Sequence, residues 1–204
     1  MKNIAIFASG EGTNAQNIID HFKESTVVKV VLVVSNKPTA NVLNRAKKAG
    51  VDTLIIERTS FYESNMVIDQ LKSAKVDLIV LAGFLWMIPE TLIKAFPGKI
   101  VNIHPALLPK FGGKGMYGMN VHKAVVEAKE EKSGISIHYV NEHYDEGKII
   151  AQHSCSLSNT DTAEEVAKKI HQLEGEYFPK VIEKWVLNEL LRCFATVCVS
   201  PRSL

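Results

Sequence analysis

Five predominantly apolar runs, at residues 4–8, 27–35, 53–56, 78–83 and 100–104, constrain the fold of this chain more than any other feature. Apart from the end of the fifth, their Val, Ile and Leu residues do not alternate regularly with polar ones, so strands formed there must be covered on both faces. The segments between them supply the cover. Ala15, Ile18, Ile19 and Phe22 recur on one face of a helix with Asn14 as its predicted cap, and a second helix over 41–49 ends at Gly50, which suits a left-handed cap. A third helix is predicted over 60–74 and a fourth between Pro89 and the pair Pro97-Gly98. Strands alternating with helices imply right-handed crossovers, hence an α/β chain with a Rossmann-like, mostly parallel sheet flanked by helices.

Beyond residue 104 the rhythm changes. The stretch 110–118 is dense in glycine and weakly periodic, and reads equally as a lid or a plain connector ahead of a helix near 120–129. Strands follow at 133–140 and 148–156, joined by 141–147. Ala163, Val166, Ala167 and Ile170 then mark a helix from Thr162, with Asp161 and Glu164 as its predicted capping pair. Pro179 is expected to kink or restart that helix before it runs on to about residue 191, and the tail 193–204 is open between packing on the domain and meeting another subunit.

Composition narrows the partners. A chain of 204 residues, 46% of them hydrophobic, can bury a full core as one domain. A net charge of +2, with lysines dispersed among carboxylates, leaves no basic footprint for nucleic acid or a membrane surface. The apolar run after Met1-Lys2-Asn3 is too short for a secretory signal or a membrane span, which points to the cytoplasm. Cys155, Cys193 and Cys198 lack paired metal-ligand spacing and read as reduced thiols.

Two places interrupt the apolar pattern with groups fit for chemistry. In Ile100-Val101-Asn102-Ile103-His104-Pro105, residues two apart share a face, so Asn102 and His104 project together where Pro105 stops the strand. The carboxyl end of a parallel strand is where open α/β sheets carry their sites. The second place is Ser9-Gly10-Glu11-Gly12-Thr13-Asn14, joining the first strand to the first helix. Glycines there let backbone amides turn toward an anion at a helix start. The second strand closes on Ser35-Asn36-Lys37 without an acidic ribose partner, and no Gly-Lys-Ser/Thr ending follows, so a single phosphate is favoured over NAD or ATP.

Three segments, Ser9-Gly10-Glu11-Gly12-Thr13-Asn14, Leu81-Ala82-Gly83-Phe84 and Asn102-Ile103-His104-Pro105-Ala106-Leu107-Leu108-Pro109, together resemble the phosphoribosylglycinamide formyltransferases over about residues 1–190. The resemblance implies a formyltransferase fold, as a single domain over 1–192 with a nucleotide-binding half at about 1–100 and a folate and catalytic half at about 101–192. It implies formyl transfer from 10-formyltetrahydrofolate to the amino group of glycinamide ribonucleotide in purine biosynthesis, with no metal. The implied partners are these two small molecules, for a monomer or homodimer, with no nucleic acid and no membrane.

By position, the resemblance implies a catalytic trio of Asn102, His104 and Asp145. Asn102 and a protonated His104 would stabilise a tetrahedral oxyanion, while Asp145 raises the histidine's pKa and accepts a proton through water. It assigns the nucleotide phosphate to Gly12, Thr13 and Asn14, and the ribose hydroxyls to Glu174. The folate falls to Leu85, Trp86, Met87, Ile88, Asn102 and the loop Asn141, Glu142, His143, Tyr144 and Asp145. Trp86 stands where many relatives carry arginine, and no arginine aligns near Phe61-Tyr62-Glu63-Ser64. His21, His122, His138, His143 and His153 read as structural or exposed rather than catalytic, although His122 follows the glycine loop and can face the cleft.

Two competing readings are a methionyl-tRNA formyltransferase or formyltetrahydrofolate deformylase on the same domain, and a non-catalytic nucleotide-binding module. The first pair normally carries an additional domain, which this chain is expected to lack, and the tRNA enzyme an arginine where Lys110-Phe111-Gly112 stands. In the second, Asn102, His104 and Asp145 would only complete a polar network.

Overall fold

A computed structural model describes the backbone of residues 1–197 and the side chains of residues 1–191. The expectation for the tail 193–204, including Cys193 and Cys198, lies outside the described side chains. Strands β1 (Lys2–Phe7), β2 (Val28–Ser35), β3 (Asp52–Ile55), β4 (Leu78–Leu81) and β5 (Ile100–His104) pair in parallel, and β6 (Lys132–Tyr139) and β7 (Ile149–Ser156) add antiparallel. One seven-stranded sheet results, in the order β3-β2-β1-β4-β5-β6-β7. Strand order reverses between β1 and β4, so their carboxyl ends diverge and leave a crevice.

Both faces of the central strands are covered, as their apolar runs require. Ile4, Ile6, Val33, Val80, Val101 and Ile103 meet helices α1 (Thr13–His21), α2 (Asn41–Lys48), α6 (Met119–Glu127) and α7 (Ala163–Val197). Ala5, Phe7, Val34, Ile79 and Ile100 alternate with them and meet α3 (Arg58–Tyr62), α4 (Met66–Ser73) and α5 (Glu90–Ala95) on the other face. This period-2 division of one strand between two cores is what makes a parallel strand read as continuously apolar.

Four local expectations need correction. The single helix predicted over 60–74 is two, because Ser64 Oγ donates to the Ser60 carbonyl and accepts from the Met66 amide, ending α3 and turning the chain into α4. Asn14 does not cap α1: Gly12 stands at the cap with φ +74°, and the Asn14 side chain reaches elsewhere. At α7 the reciprocal pair is Thr162 with Glu165, whereas Asp161 accepts from the Ser158 amide and from Lys169. Pro179 does not restart the helix, since α7 runs through it from Ala163 to Val197; Phe178, Ile182 and Val186 on either side of it are buried in one core, which outweighs the lost backbone hydrogen bond. Among the described residues no helix is long and apolar enough to cross a membrane.

Candidate active site

The carboxyl ends of β1, β4 and β5 open into a cavity of about 850 Å³. Its floor is stitched together by Ser9, a buried residue whose Oγ donates to Asn36 Oδ1 at 2.7 Å and accepts from the Leu85 amide at 2.9 Å. Gly12 is required here by shape. Its backbone is left-handed, and a Cβ would lie 2.5 Å from Val42 Cγ2 and 2.8 Å from the Val42 backbone, which the hydrogen bond donated by the Val42 N–H to the Gly10 carbonyl holds in place. Gly12, Thr13 and Asn14 therefore line one end of the cavity at a helix start without any side-chain cap, beside Lys37. Asn14 Nδ2 donates to Glu174 Oε2 at 3.0 Å, tying the loop to α7. Burial pushes the Glu174 carboxyl up, against the smaller opposing pull of Asn14 and His171.

At the other end, strand register assembles the polar groups. Asn102 on β5 lies opposite His138 on β6, and Asn102 Nδ2 stands 3.1 Å from His138 Nε2 and 3.5 Å from Asp145 Oδ1. Asp145, in the left-handed region at φ +57°, accepts from the Gly113 amide at 3.0 Å and faces two imidazoles, His104 Nδ1 at 3.4 Å and His138 Nε2 at 3.6 Å. Burial alone would raise its pKa, but the His138 hydrogen bond, the His104 ring and the Gly113 amide together hold it below the usual carboxylate value.

His104 departs from expectation. Asp145 was expected to raise its pKa; burial wins instead and holds it below the ordinary histidine value, with Asp145 and the Phe111 carbonyl offsetting only part. Its Nε2–H donates to the Phe111 carbonyl at 2.7 Å, which fixes the tautomer and leaves Nδ1 toward the carboxylate.

Leu85, Trp86, Met87, Ile88, Asn141, His143 and Tyr144 line the wall between the two ends. Glu142 does not; it is exposed, within electrostatic reach of Lys94. Trp86 joins Phe61, Tyr62 and Phe84 in an aromatic cluster, and the Arg58 guanidinium lies 5.4 Å from the Tyr62 ring and 6.0 Å from that of Trp86. An arginine thus stands beside Trp86, one helical turn before Phe61-Tyr62-Glu63-Ser64.

Sequence reasoning undervalued His138 and missed Ser136 and Gln152. Ser136 Oγ donates to the Ala106 carbonyl and accepts from the Leu108 amide and Gln152 Nε2, clamping the turn that follows His104. The available signal was the alternation of Ser136 and His138 with buried Ile135 and Ile137, a polar face like that of Asn102 and His104.

A family model described as formyl transferase matches residues 2–182. The chain is 38% identical to a phosphoribosylglycinamide formyltransferase of Bacillus subtilis, covering 90% of this chain and 94% of that protein. It is 41% identical to a chloroplastic relative of that name from Arabidopsis thaliana, over 89% of this chain and 64% of the plant protein. A second plant relative, from Vigna unguiculata, is matched over 60% of its length, so the chain spans less than two thirds of these two proteins. The crystal structure of a phosphoribosylglycinamide formyltransferase from Bacillus halodurans superimposes with a TM-score of 0.81 at 37% identity, covering 91% of this chain and 95% of that one. A glycinamide ribonucleotide transformylase from Symbiobacterium toebii gives 0.83 at 32% identity, with 92% and 89% covered. With the model matching nearly the whole sheet and the bacterial relatives matched along almost their full length, the chain belongs to the formyl transferase family, among the phosphoribosylglycinamide formyltransferases.

Proposed function

We propose that this chain transfers a formyl group from 10-formyltetrahydrofolate to the amino group of glycinamide ribonucleotide, a step of purine biosynthesis. One observation carries the reading: Asp145 faces His104 and lies against Asn102 in the same cavity that ends at the uncapped Gly12-Thr13-Asn14 helix start. The amides of Gly12, Thr13 and Asn14 hold the phosphate, and Glu174 accepts from the ribose hydroxyls. The pterin lies against Leu85, Trp86, Met87, Ile88, Asn102 and the turn residues Asn141, His143 and Tyr144. Glu142, off the cavity wall, is left out of this set. A volume of about 850 Å³ is ample for two small substrates side by side.

Attack of the amine on the formyl carbon forms an oxyanion, for which the Asn102 amide and the His104 N–H are the donors. In the free protein that N–H is occupied by the Phe111 carbonyl, so the 110–118 loop must give way for His104 to act. Asp145 accepts the amine's proton through water, and His104, acting in its protonated form, delivers one to the departing folate nitrogen and is left neutral. Transfer from Asp145 back to His104 then restores both groups. The proposed unit is a single domain over 1–192, with its nucleotide half at about 1–100 and its folate and catalytic half at about 101–192. It acts in the cytoplasm on small molecules, without nucleic acid, membrane or metal.

Tetrahydrofolate formation measured with and without glycinamide ribonucleotide tests this. Product only with the nucleotide is expected. Formate release without it would indicate a deformylase, and no turnover a binding module.

A further inference from the structure

His122 is left without a task by the chemistry above, yet it lines the same cavity. It stands in the first turn of α6, is 3% exposed and lines the cavity. Its Nδ1 is buried with no hydrogen-bond partner among the described residues. The other ring nitrogen has no hydrogen-bond partner among the described residues either, and the residue lines the cavity. A histidine that served only packing would not leave both nitrogens unpaired, since each unmade hydrogen bond is a cost.

The tautomer follows from that burial. An orphaned buried N–H is rarer in proteins than an orphaned acceptor, so the proton belongs on Nε2, where a ligand can meet it. Burial first, then the nearby His171 and His104 rings, lower the pKa of His122 to about 4, so the ring is neutral at physiological pH. His104 and His171 both lie within electrostatic reach of it, and His171 in turn reaches Glu174. An uncharged donor thus lines the cavity that holds both the proposed ribose site and the reacting corner, within electrostatic reach of His104 and His171. An uncharged N–H matches a neutral carbonyl oxygen, whereas a phosphate or carboxylate would call for a cation.

We propose that His122 Nε2–H donates to the amide carbonyl of glycinamide ribonucleotide, the group joining the ribose to the reacting amine, and so distinguishes the glycinamide nucleotide from a bare ribose phosphate. The inference rests on the substrate reading above.

Calorimetric titration of the intact protein and of His122→Phe and His122→Gln, each with glycinamide ribonucleotide and with ribose 5-phosphate, tests it. His122→Phe is expected to weaken glycinamide ribonucleotide on the order of tenfold and to leave ribose 5-phosphate within about twofold. His122→Gln, whose amide N–H₂ reaches the Nε2 position, is expected to recover most of the loss. If the phenylalanine variant does not fold, His122→Asn replaces it, because its amide reaches only the Nδ1 position and is expected to show the same loss. Equal weakening of both ligands, or undiminished affinity for glycinamide ribonucleotide, would overturn the assignment of His122 while leaving the activity standing. Failure of the unaltered protein to bind glycinamide ribonucleotide would instead overturn the substrate reading, and this inference with it.

Discussion

The two ends of the cavity are built on different principles. The Gly12 end is backbone: a left-handed glycine, a helix start and a close approach to Val42 leave no space for a side chain. The Asp145 end is side chains, with Asn102, His104 and His138 brought to one carboxylate by strand register. At the first end the shape that would hold a phosphate is also the shape that packs the fold, so ligand binding and stability fail together. At the second, the groups proposed for chemistry can be changed isosterically with little demand on packing, so chemistry fails first.

Several substitutions sharpen or break that contrast. His104→Ala is expected to lower turnover about a hundredfold to a thousandfold with nucleotide affinity largely kept, read by steady-state kinetics beside calorimetry. Asp145→Asn keeps a residue that tolerates φ +57°, so the fold should survive while turnover drops about a hundredfold. It also removes the charge that partly offsets burial at His104, so the imidazole, already below its ordinary pKa, should titrate lower still by NMR. An unchanged titration would detach Asp145 from His104. Gly12→Val meets Val42 before any ligand arrives. Its expected cost is about 3 kcal/mol of stability, or about 6–12 °C in melting temperature. Pairing it with Val42→Ala should return part of the stability and none of the nucleotide affinity; recovery of both would mean that the loop is a packing feature alone.

The smallest effect concerns acid. A histidine whose folded pKa of about 4 lies below its ordinary 6.5 favours the folded state while neutral. That contribution is complete above pH 6.5 and is lost as pH falls toward 4. Urea denaturation at pH 7 and pH 4.5 should show a larger drop for the unaltered protein than for His122→Phe.

Sequence made the backbone end and half of the side-chain end legible, for physical reasons. The apolar run at 100–104 is β5 residue for residue, since a strand buried on both faces and stopped by proline leaves no freedom in its bounds. Asn102 and His104 follow from period-2 geometry alone. His138 does not, because only antiparallel pairing of β5 with β6 brings it opposite Asn102, and register between distant strands is not written in either one. The fall in the His104 pKa escaped for the same reason: an Asp145 partner can be aligned by resemblance, but the depth of burial that outweighs it is a property of the assembled fold. Asn14 has a good N-cap side chain, yet Glu174 on a distant helix takes it instead.

The most direct measurement follows the transferred atom itself. With 10-formyltetrahydrofolate labelled at the formyl carbon with ¹³C, the intact protein is expected to deliver the label to the amine nitrogen of glycinamide ribonucleotide, seen as a new formamide resonance growing as tetrahydrofolate forms. His104→Ala should bind the nucleotide and leave the label on the folate. Label appearing as free formate, or transferred equally well by His104→Ala, would contradict formyl transfer at the Asn102, His104 and Asp145 corner.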